Sequence, residues 1–502
     1  MNKFKMVSFL SLTLFLIYVI PALAQRTASK DGAMETDKAE TTSSPTQPIS
    51  APPAPGPIAI PAPTHPSYIA AYRAKMPNAS CGLSPTCSQL IGLSSINYDP
   101  SSGASSAQTN YIQTTTTPLN ETIADLDLAV NFPYIHLASL EHHNNFNKYI
   151  LKYYLFSSPN STPSITTVPL TPPPPYNINL FDYHTDIAVA PNNDAYIAVS
   201  WFQNDIWPQH SIHIYLIKIS AGNVSYYPVF QYVIPSINTW WNNWRDSDIT
   251  VTLGNNNTTA YIGTVLPGPN SVADYNFYEF SFNLTTNTLT SQQIISGNDL
   301  VIPSPTNWSG GEAQPILVKG FDSVNGIDLA TTRGKNGFVP TQYTTLYTSS
   351  GGAMSTSYSA QHYAVDITVQ DIPVPLKPLF RLFISQVFPF PPTLGLFLEN
   401  SSDGGITWTP SLIYHAVDPI TGTSNFPQWP SLQKKFNTFP LLTAVAEQQN
   451  SATSLFDILK IIIVDQFPPI LNPFSPPLIQ VPTTFNGQEV QNISDLEFEE
   501  YQ

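Results

Sequence analysis

"DITV" occupies residues 248–251 and returns unchanged at 366–369, and its near-copies "DLAV" and "DIAV" stand at 127–130 and 186–189. Their aspartates lie 59, 62 and 118 residues apart, and 118 is twice 59, so a further copy belongs between the last two. "PILV" from Pro315 fills that place. "PSLQ" from Pro430 adds a sixth copy, and both carry proline where the aspartate stands elsewhere. Shortly after each copy comes a second apolar run: "YIHLASL", "AYIAVSW", "AYIGTV", "GIDLATT", "LFRLFIS" and "FPLLTAV". Third runs such as "YILKYYLF", "IHIYLIKIS" and "LGLFLENS" follow. Short runs rich in β-branched and aromatic residues, parted by Pro, Asn and Gly clusters, read as strands. Self-similarity at this period, with four strands per unit, is the mark of a propeller. The sequence therefore predicts an all-β fold over residues 119–485, a six-bladed β-propeller of four-stranded antiparallel blades. Both faces of these strands are apolar, as they must be if each blade packs between two others.

One turn carries a motif. "SSDGGITWTP", residues 401–410, joins the third and fourth strands of the fifth repeat. Its glycines permit the positive φ of a tight turn, and Asp403 can accept backbone N–H bonds within it. Ser401, Asp403, Gly405, Thr407 and Trp408 fit the pattern S-x-D-x-G-x-T-W. This resembles the Asp-box, or bacterial neuraminidase repeat, of sialidase-like β-propellers. The resemblance implies a structural role for these five residues, on the rim away from the active face.

The start, "MNKFKMVSFLSLTLFLIYVIPALAQ", has a basic beginning, a 15-residue apolar core from Met6 to Ile20 and small residues at 22–24. It reads as a signal peptide over 1–24, so the expected location is extracellular or periplasmic, with cell-surface association open. An uncleaved membrane anchor is the alternative. No later apolar run is long enough to span a bilayer. Residues 25–66 are rich in Pro, Ser, Thr and Ala, the composition of a disordered linker. A lead-in segment, 67–118, holds "SYIAAYRAK", read as a short helix, and the only cysteines, Cys81 and Cys87. In an exported chain two cysteines six apart are expected to close one disulfide loop. Residues 486–502 form an acidic tail expected to fray. With a net charge of −15 over 502 residues, the chain offers nucleic acid no electrostatic footing.

Two sets of loops share one end of such a ring: those leading into each first strand, and those joining strands two and three. They include "LEHHNN", "DYHTD", "WWNNWRDSD", "NWSGGEAQ", "TTRGKNG", "SAQHYAVD" and "NFPQWPS". Aromatic rings beside amides, acids and guanidinium groups suit a sugar, whose C–H face stacks while its hydroxyls are hydrogen-bonded. The expected ligand contacts are Trp244, Trp308, Arg245, His184, His362, Trp429 and Glu141, centred on the third and fourth blades. The partner class is a glycan or glycoconjugate. Adjacent Glu141, His142 and His143 point alternately on an extended segment, so no metal site and no cofactor are expected.

Catalysis is implied only through the resemblance. Sialidases use three arginines on a substrate carboxylate, a tyrosine nucleophile paired with glutamate, and an aspartate acid/base. Candidates here are Arg245, Asp246, Glu312, Arg333 and Tyr363. The family's Phe/Tyr-Arg-Ile-Pro motif is absent, Arg73 stands in "AYRAK", and Arg381 sits mid-strand in "LFRLF". Three classes stay open: a secreted glycan binder without confirmed catalysis, an active exo-sialidase or related glycosidase, and an adhesive propeller that binds protein.

Overall fold

The structure, a computed structural model, describes residues 67–76, 89–113, 121–143, 148–170, 183–204, 210–234, 249–254, 257–267, 275–296, 315–323, 326–335, 341–348, 355–360, 363–370, 372, 378–387, 393–402, 407–415, 426–433, 435–450, 455–469, 473 and 476–501. The signal peptide, the linker and the Cys81–Cys87 loop lie outside them.

Among the described residues every regular element is a strand. The first three are β1 (Ser67–Lys75), β2 (Gln89–Tyr98) and β3 (Ser105–Gln113). Six sheets then follow in chain order, as the repeats require. Blade one is β4 (Glu121–Asn131), β5 (Tyr134–His143), β6 (Lys148–Phe156) and β7 (Ser164–Leu170). Blade two is β8 (Tyr183–Val189), β9 (Ala195–Asn204), β10 (His210–Ser220) and β11 (Asn223–Ile234). Blade three is β12 (Ile249–Leu253), β13 (Thr259–Pro267), β14 (Tyr275–Asn283) and β15 (Thr288–Ser296). Blade four is β16 (Pro315–Ser323), β17 (Gly326–Lys335), β18 (Thr341–Thr348) and β19 (Ser355–Ala360). Blade five is β20 (Tyr363–Gln370), β21 (Leu379–Val387), β22 (Thr393–Ser401) and β23 (Thr409–His415). Blade six starts with β24 (Phe426–Leu432). The two-residue β25 (Lys435–Phe436) then crosses to pair in parallel with β20. β26 (Leu441–Asn450), β27 (Leu455–Val464) and β28 (Leu478–Val481) complete blade six. After the small hairpin of β29 (Thr484–Phe485) and β30 (Gln488–Glu489), β31 (Gln491–Tyr501) ends the series.

The first strands stand side by side in cyclic order: β4 by β8, then β12, β16, β20 and β24. β24 next adjoins β31, and β31 adjoins β4, which closes the ring. β31 is thus the innermost strand of a further sheet, ordered β3-β2-β1-β31. The ring holds seven blades, one more than the repeat spacing shows by itself. The additional blade is split between the two flanks of the repeat region, so it adds no interval between aspartates.

Two local expectations are corrected here. "SYIAAYRAK" is β1, not a helix. Its alanines bury on both faces, and its backbone pairs with both β2 and β31. Tertiary packing outweighs the helix preference of Ala in such a setting. Gly92 on β2 makes room for this strand: a Cβ there would stand 2.3 Å from the ring of Tyr72. The acidic tail, expected to fray, is β31, with Ile493, Leu496, Phe498 and Tyr501 buried.

The core lies between blades, as slabs rather than one centre. One slab packs Tyr68, Tyr72 and Phe498 of the seventh blade on Leu442, Leu459 and Ile461 of blade six. Another packs Ile69 and Leu93 on Leu128 and Leu137 of blade one. Others join blades one and two, two and three, and five and six. The middle strands are therefore buried on both faces, as in the unbroken buried run from Leu441 to Glu447. Each buried Leu or Ile contributes roughly 1.5–3 kcal/mol relative to exposure.

The repeated aspartates now have a physical explanation. Asp186 on β8 accepts the Ile187 N–H through Oδ1 at 2.8 Å. Its Oδ2 takes the Val251 N–H and the Thr250 hydroxyl of β12, each at 2.7 Å. Asp366 on β20 likewise accepts the Leu432 N–H of β24 at 2.6 Å. In blade one the counterpart is Asp125, two residues before the aspartate of "DLAV". It accepts Leu126 N–H at 3.0 Å and the Thr185 N–H of β8 at 2.8 Å. Asp127 takes the Thr185 hydroxyl instead. These carboxylates tie β4 to β8, β8 to β12 and β20 to β24. They repeat because the ties repeat.

Candidate binding face

Strands β4, β8, β24 and β31 all begin at one end of the ring, and β1 ends there. The described side chains that crowd this end, the mouth, come from the seventh, first and second blades.

Arg73, near the end of β1, donates through Nε to Ser494 Oγ at 2.8 Å and faces Asp495 at 3.2 Å. Two register shifts between β1 and β31 flank this position. They coincide with left-handed backbone at Asn492 (φ 51°) and Asp495 (φ 45°). Asn and Asp tolerate this region better than other side chains, though still at a cost. Bulges of this kind re-aim side chains, and here one turns Asp495 toward Arg73. Asp125 on β4 and His184 on β8 lie within electrostatic reach of Asp495.

Burial sets the charge state. It pushes the Asp495 carboxyl up to about 6, against the opposing pull of Arg73. Burial likewise raises Asp125, with His184 pulling the other way. Asp127 rises well above the usual carboxylate range, through burial first and then through Asp125, Asp186 and Glu497. Among the described residues, this end of the ring thus sets carboxyls of raised proton affinity beside the Arg73 guanidinium and the His184 imidazole.

Trp429 stands on β24, the innermost strand next to β31. Its indole is 43% exposed and its φ is 48°. A bulky residue in left-handed backbone is strained, and such strain gathers at functional sites. A register shift between Gln428 and Ser431 produces the kink. Trp429 lies on the mouth side of the Asp366–Leu432 tie.

The other candidates fall as follows. Glu141 does not face the mouth: it is 1% exposed, and its carboxylate is held by Lys152 at 2.5 Å and the Tyr154 hydroxyl at 3.3 Å. Glu447 of blade six is held in a similar way, by Lys460 of the same blade at 2.8 Å and by Tyr414 of blade five. The backbones of Arg333 and Tyr363 lie in β17 and β20. Arg245, Asp246, Glu312, Trp244, Trp308, His362, Asp403 and Gly405 lie outside the described residues. Of the Asp-box motif, Ser401 is buried, Thr407 is exposed, and Trp408 lies over the Arg381 guanidinium, 4.3 Å from its ring centre. Arg381 itself is buried, and its Nε donates to Glu399 at 2.7 Å. Among the described residues no group of three or more His, Cys, Asp or Glu is placed to hold a metal ion, and no helix is long and apolar enough to cross a membrane.

Sequence reasoning passed over Asp125, Ser494 and Asp495, and it placed Arg73 on a helix. One signal was present: in "DLD", residues 125–127, two acids two residues apart share one face of a strand.

No family model and no curated protein sequence matches the chain. Among solved structures it is similar to the polysaccharide lyase Uly1, at 13% identity and a TM-score of 0.39 over 74% of this chain and 85% of that one. It is similar to Trypanosoma rangeli sialidase, at 10% identity and a TM-score of 0.36 over 64% of this chain and 52% of that one. It is also similar to the β-propeller domain of the Trilobed protease from Pyrococcus furiosus, at 7% identity and a TM-score of 0.33 over 69% and 84%. The closed ring of sheets defines the chain as a β-propeller by its own geometry.

Proposed function

We propose that this chain is a secreted glycan-binding propeller whose ligand sits at the ring's mouth, and that it has no sialidase activity. The observation that carries this reading is Trp429, an exposed indole held in strained backbone on an innermost strand, at the same end as Arg73, Asp125, His184 and Asp495. A sugar ring stacks on an indole through its C–H face. Neighbouring carboxyl and guanidinium groups take its hydroxyls. Against catalysis stands the engagement of two arginines: Arg381 is held by Glu399 inside blade five, and Arg73 is held by Ser494 and Asp495, so neither is presented to a substrate carboxylate.

The test is a glycan array together with a fluorogenic sialoside assay on the purified protein. Glycan binding without turnover is the expected result. Turnover of the sialoside would establish the exo-sialidase reading instead. Neither binding nor turnover would leave the adhesive, protein-binding reading.

A further inference from the structure

We propose that this chain carries N-linked glycans of its own, on Asn160, Asn223 and Asn283, and that they cover exposed apolar side chains on the outer strands of blades one, two and three. The triplet N-x-S/T is the acceptor pattern for this modification in exported chains. It recurs here at one structural position, the turn from third to fourth strand. Asn160, Ser161 and Thr162 form it in blade one, and Asn223, Val224 and Ser225 in blade two. Asn283, Leu284 and Thr285 form it in blade three, and Asn400, Ser401 and Ser402 in blade five. The strands of each blade alternate in direction, so all four turns stand at the end of the ring away from the mouth. Such triplets also occur elsewhere, as at Asn257 and Asn492. What sets the first three apart is their surroundings.

Ile165 of β7, Tyr226 of β11 and Leu289 of β15 are exposed, at 55%, 46% and 38%. Each follows its asparagine within six residues, on the outermost strand of its blade. Leu289 pairs with Phe282, directly beside Asn283. None of these three outer strands carries a charged residue to keep the rim soluble. A bulky, hydrated oligosaccharide at the turn does so, while its C–H faces lie over the apolar side chains. The acceptors are accessible: Asn160 and Asn223 are exposed, and Asn283 is half-buried. Asn283 is held through its oxygen, which accepts the Thr285 and Thr286 N–H at 2.8 and 2.9 Å. Asn160 Nδ2 donates to Gln108 at 3.3 Å, and an amide that gains a sugar keeps one N–H for that bond. Blade five is the contrast. Asn400 is half-buried, its Nδ2 donates to the Leu379 carbonyl within its own sheet, and among the described residues β23 exposes no large apolar side chain. In the transfer, asparagine Nδ2 bonds to C1 of a sugar carried on a lipid diphosphate. The C1–O bond breaks, its electron pair leaves with the diphosphate, and the amide gives one proton to the transferase. The proposal rests on the export expected from residues 1–24 and is independent of what the mouth binds.

The test is glycopeptide mapping by mass spectrometry on the protein secreted by its own organism. Sugar is expected on Asn160, Asn223 and Asn283, with Asn400 bare. The single substitutions Thr162→Ala, Ser225→Ala and Thr285→Ala should each remove one glycan from the intact mass. The triple variant keeps all three asparagines and every backbone bond. It should self-associate more than the wild type in sedimentation and take up more of a hydrophobic dye. Sugar on fewer than two of the three asparagines overturns the proposal. A folded triple variant with unchanged sedimentation and dye uptake overturns the covering role. If the triple variant is not secreted, the wild-type map decides alone.

Discussion

Asp186 of blade two accepts the backbone N–H of Val251 in blade three at 2.7 Å, across the gap between two innermost strands. The same oxygen takes the Thr250 hydroxyl, so one carboxylate pins two residues of the neighbouring sheet. Asp186→Ala strands both donors. The loss should be about 2–4 kcal/mol, the sum of a charge-assisted bond and an unsatisfied donor. Asp186→Asn, which keeps an acceptor, should lose less. Urea unfolding of both variants checks the order.

Arg381 and Glu399 form a buried pair roofed by Trp408. Removing one partner leaves an uncompensated charge inside blade five. Glu399→Gln should therefore destabilise by roughly 3–5 kcal/mol. Replacing the pair together, as Arg381→Met with Glu399→Leu, should cost much less than that. A double-mutant cycle in denaturant separates the two outcomes. A double variant as unstable as the single one would assign the cost to packing, not charge.

Trp429 should separate function from stability. Trp429→Gly removes a side chain from left-handed backbone, where a non-glycine residue costs about 1–2 kcal/mol. The variant should match or exceed the wild-type melting temperature and lose glycan binding. A drop of several degrees would make the indole a packing element.

His136 is buried, with Nδ1 sharing a hydrogen bond with the Tyr153 hydroxyl at 2.6 Å. Burial lowers its pKa to about 4, from the ordinary imidazole value of 6.5. The unfolded chain binds the proton first, so stability is intact above about 6.5 and declines as pH falls toward 4, by about 3 kcal/mol at most. His136→Gln should flatten that limb of a pH–stability curve measured by chemical denaturation.

The sequence showed what repeats and hid what does not. Blades one to six were legible because their first strands carry the same acid-led apolar word. Proline-led copies still held the interval, and "PILV" does begin β16. The seventh blade has no such word. In β31 the buried residues Ile493, Leu496 and Phe498 are unevenly spaced, because two bulges interrupt the alternation that marks a strand. In β1 an alanine-rich run imitates a helix. The mouth was harder still. Aromatic and charged loops can be picked out by composition, but the grouping of Arg73 with Asp495 joins residues from opposite flanks of the repeats. That is a product of ring closure, and no local pattern announces it. Arg381 is the converse case: its place in mid-strand was visible, while the glutamate that claims it was not.

The Ser67 hydroxyl reaches the Tyr501 carbonyl, 434 residues away along the sequence, at 2.5 Å. The entropy of closing so long a loop grows only with the logarithm of its length, so the finished ring pays little more than a shorter one would. The rate is another matter. Folding slows as contacts become less local. Six sheets can form from neighbouring segments before the seventh has its inner strand. Until then the flanks of β4 and β24 present open backbone and apolar surface, which is where self-association of half-folded chains would begin.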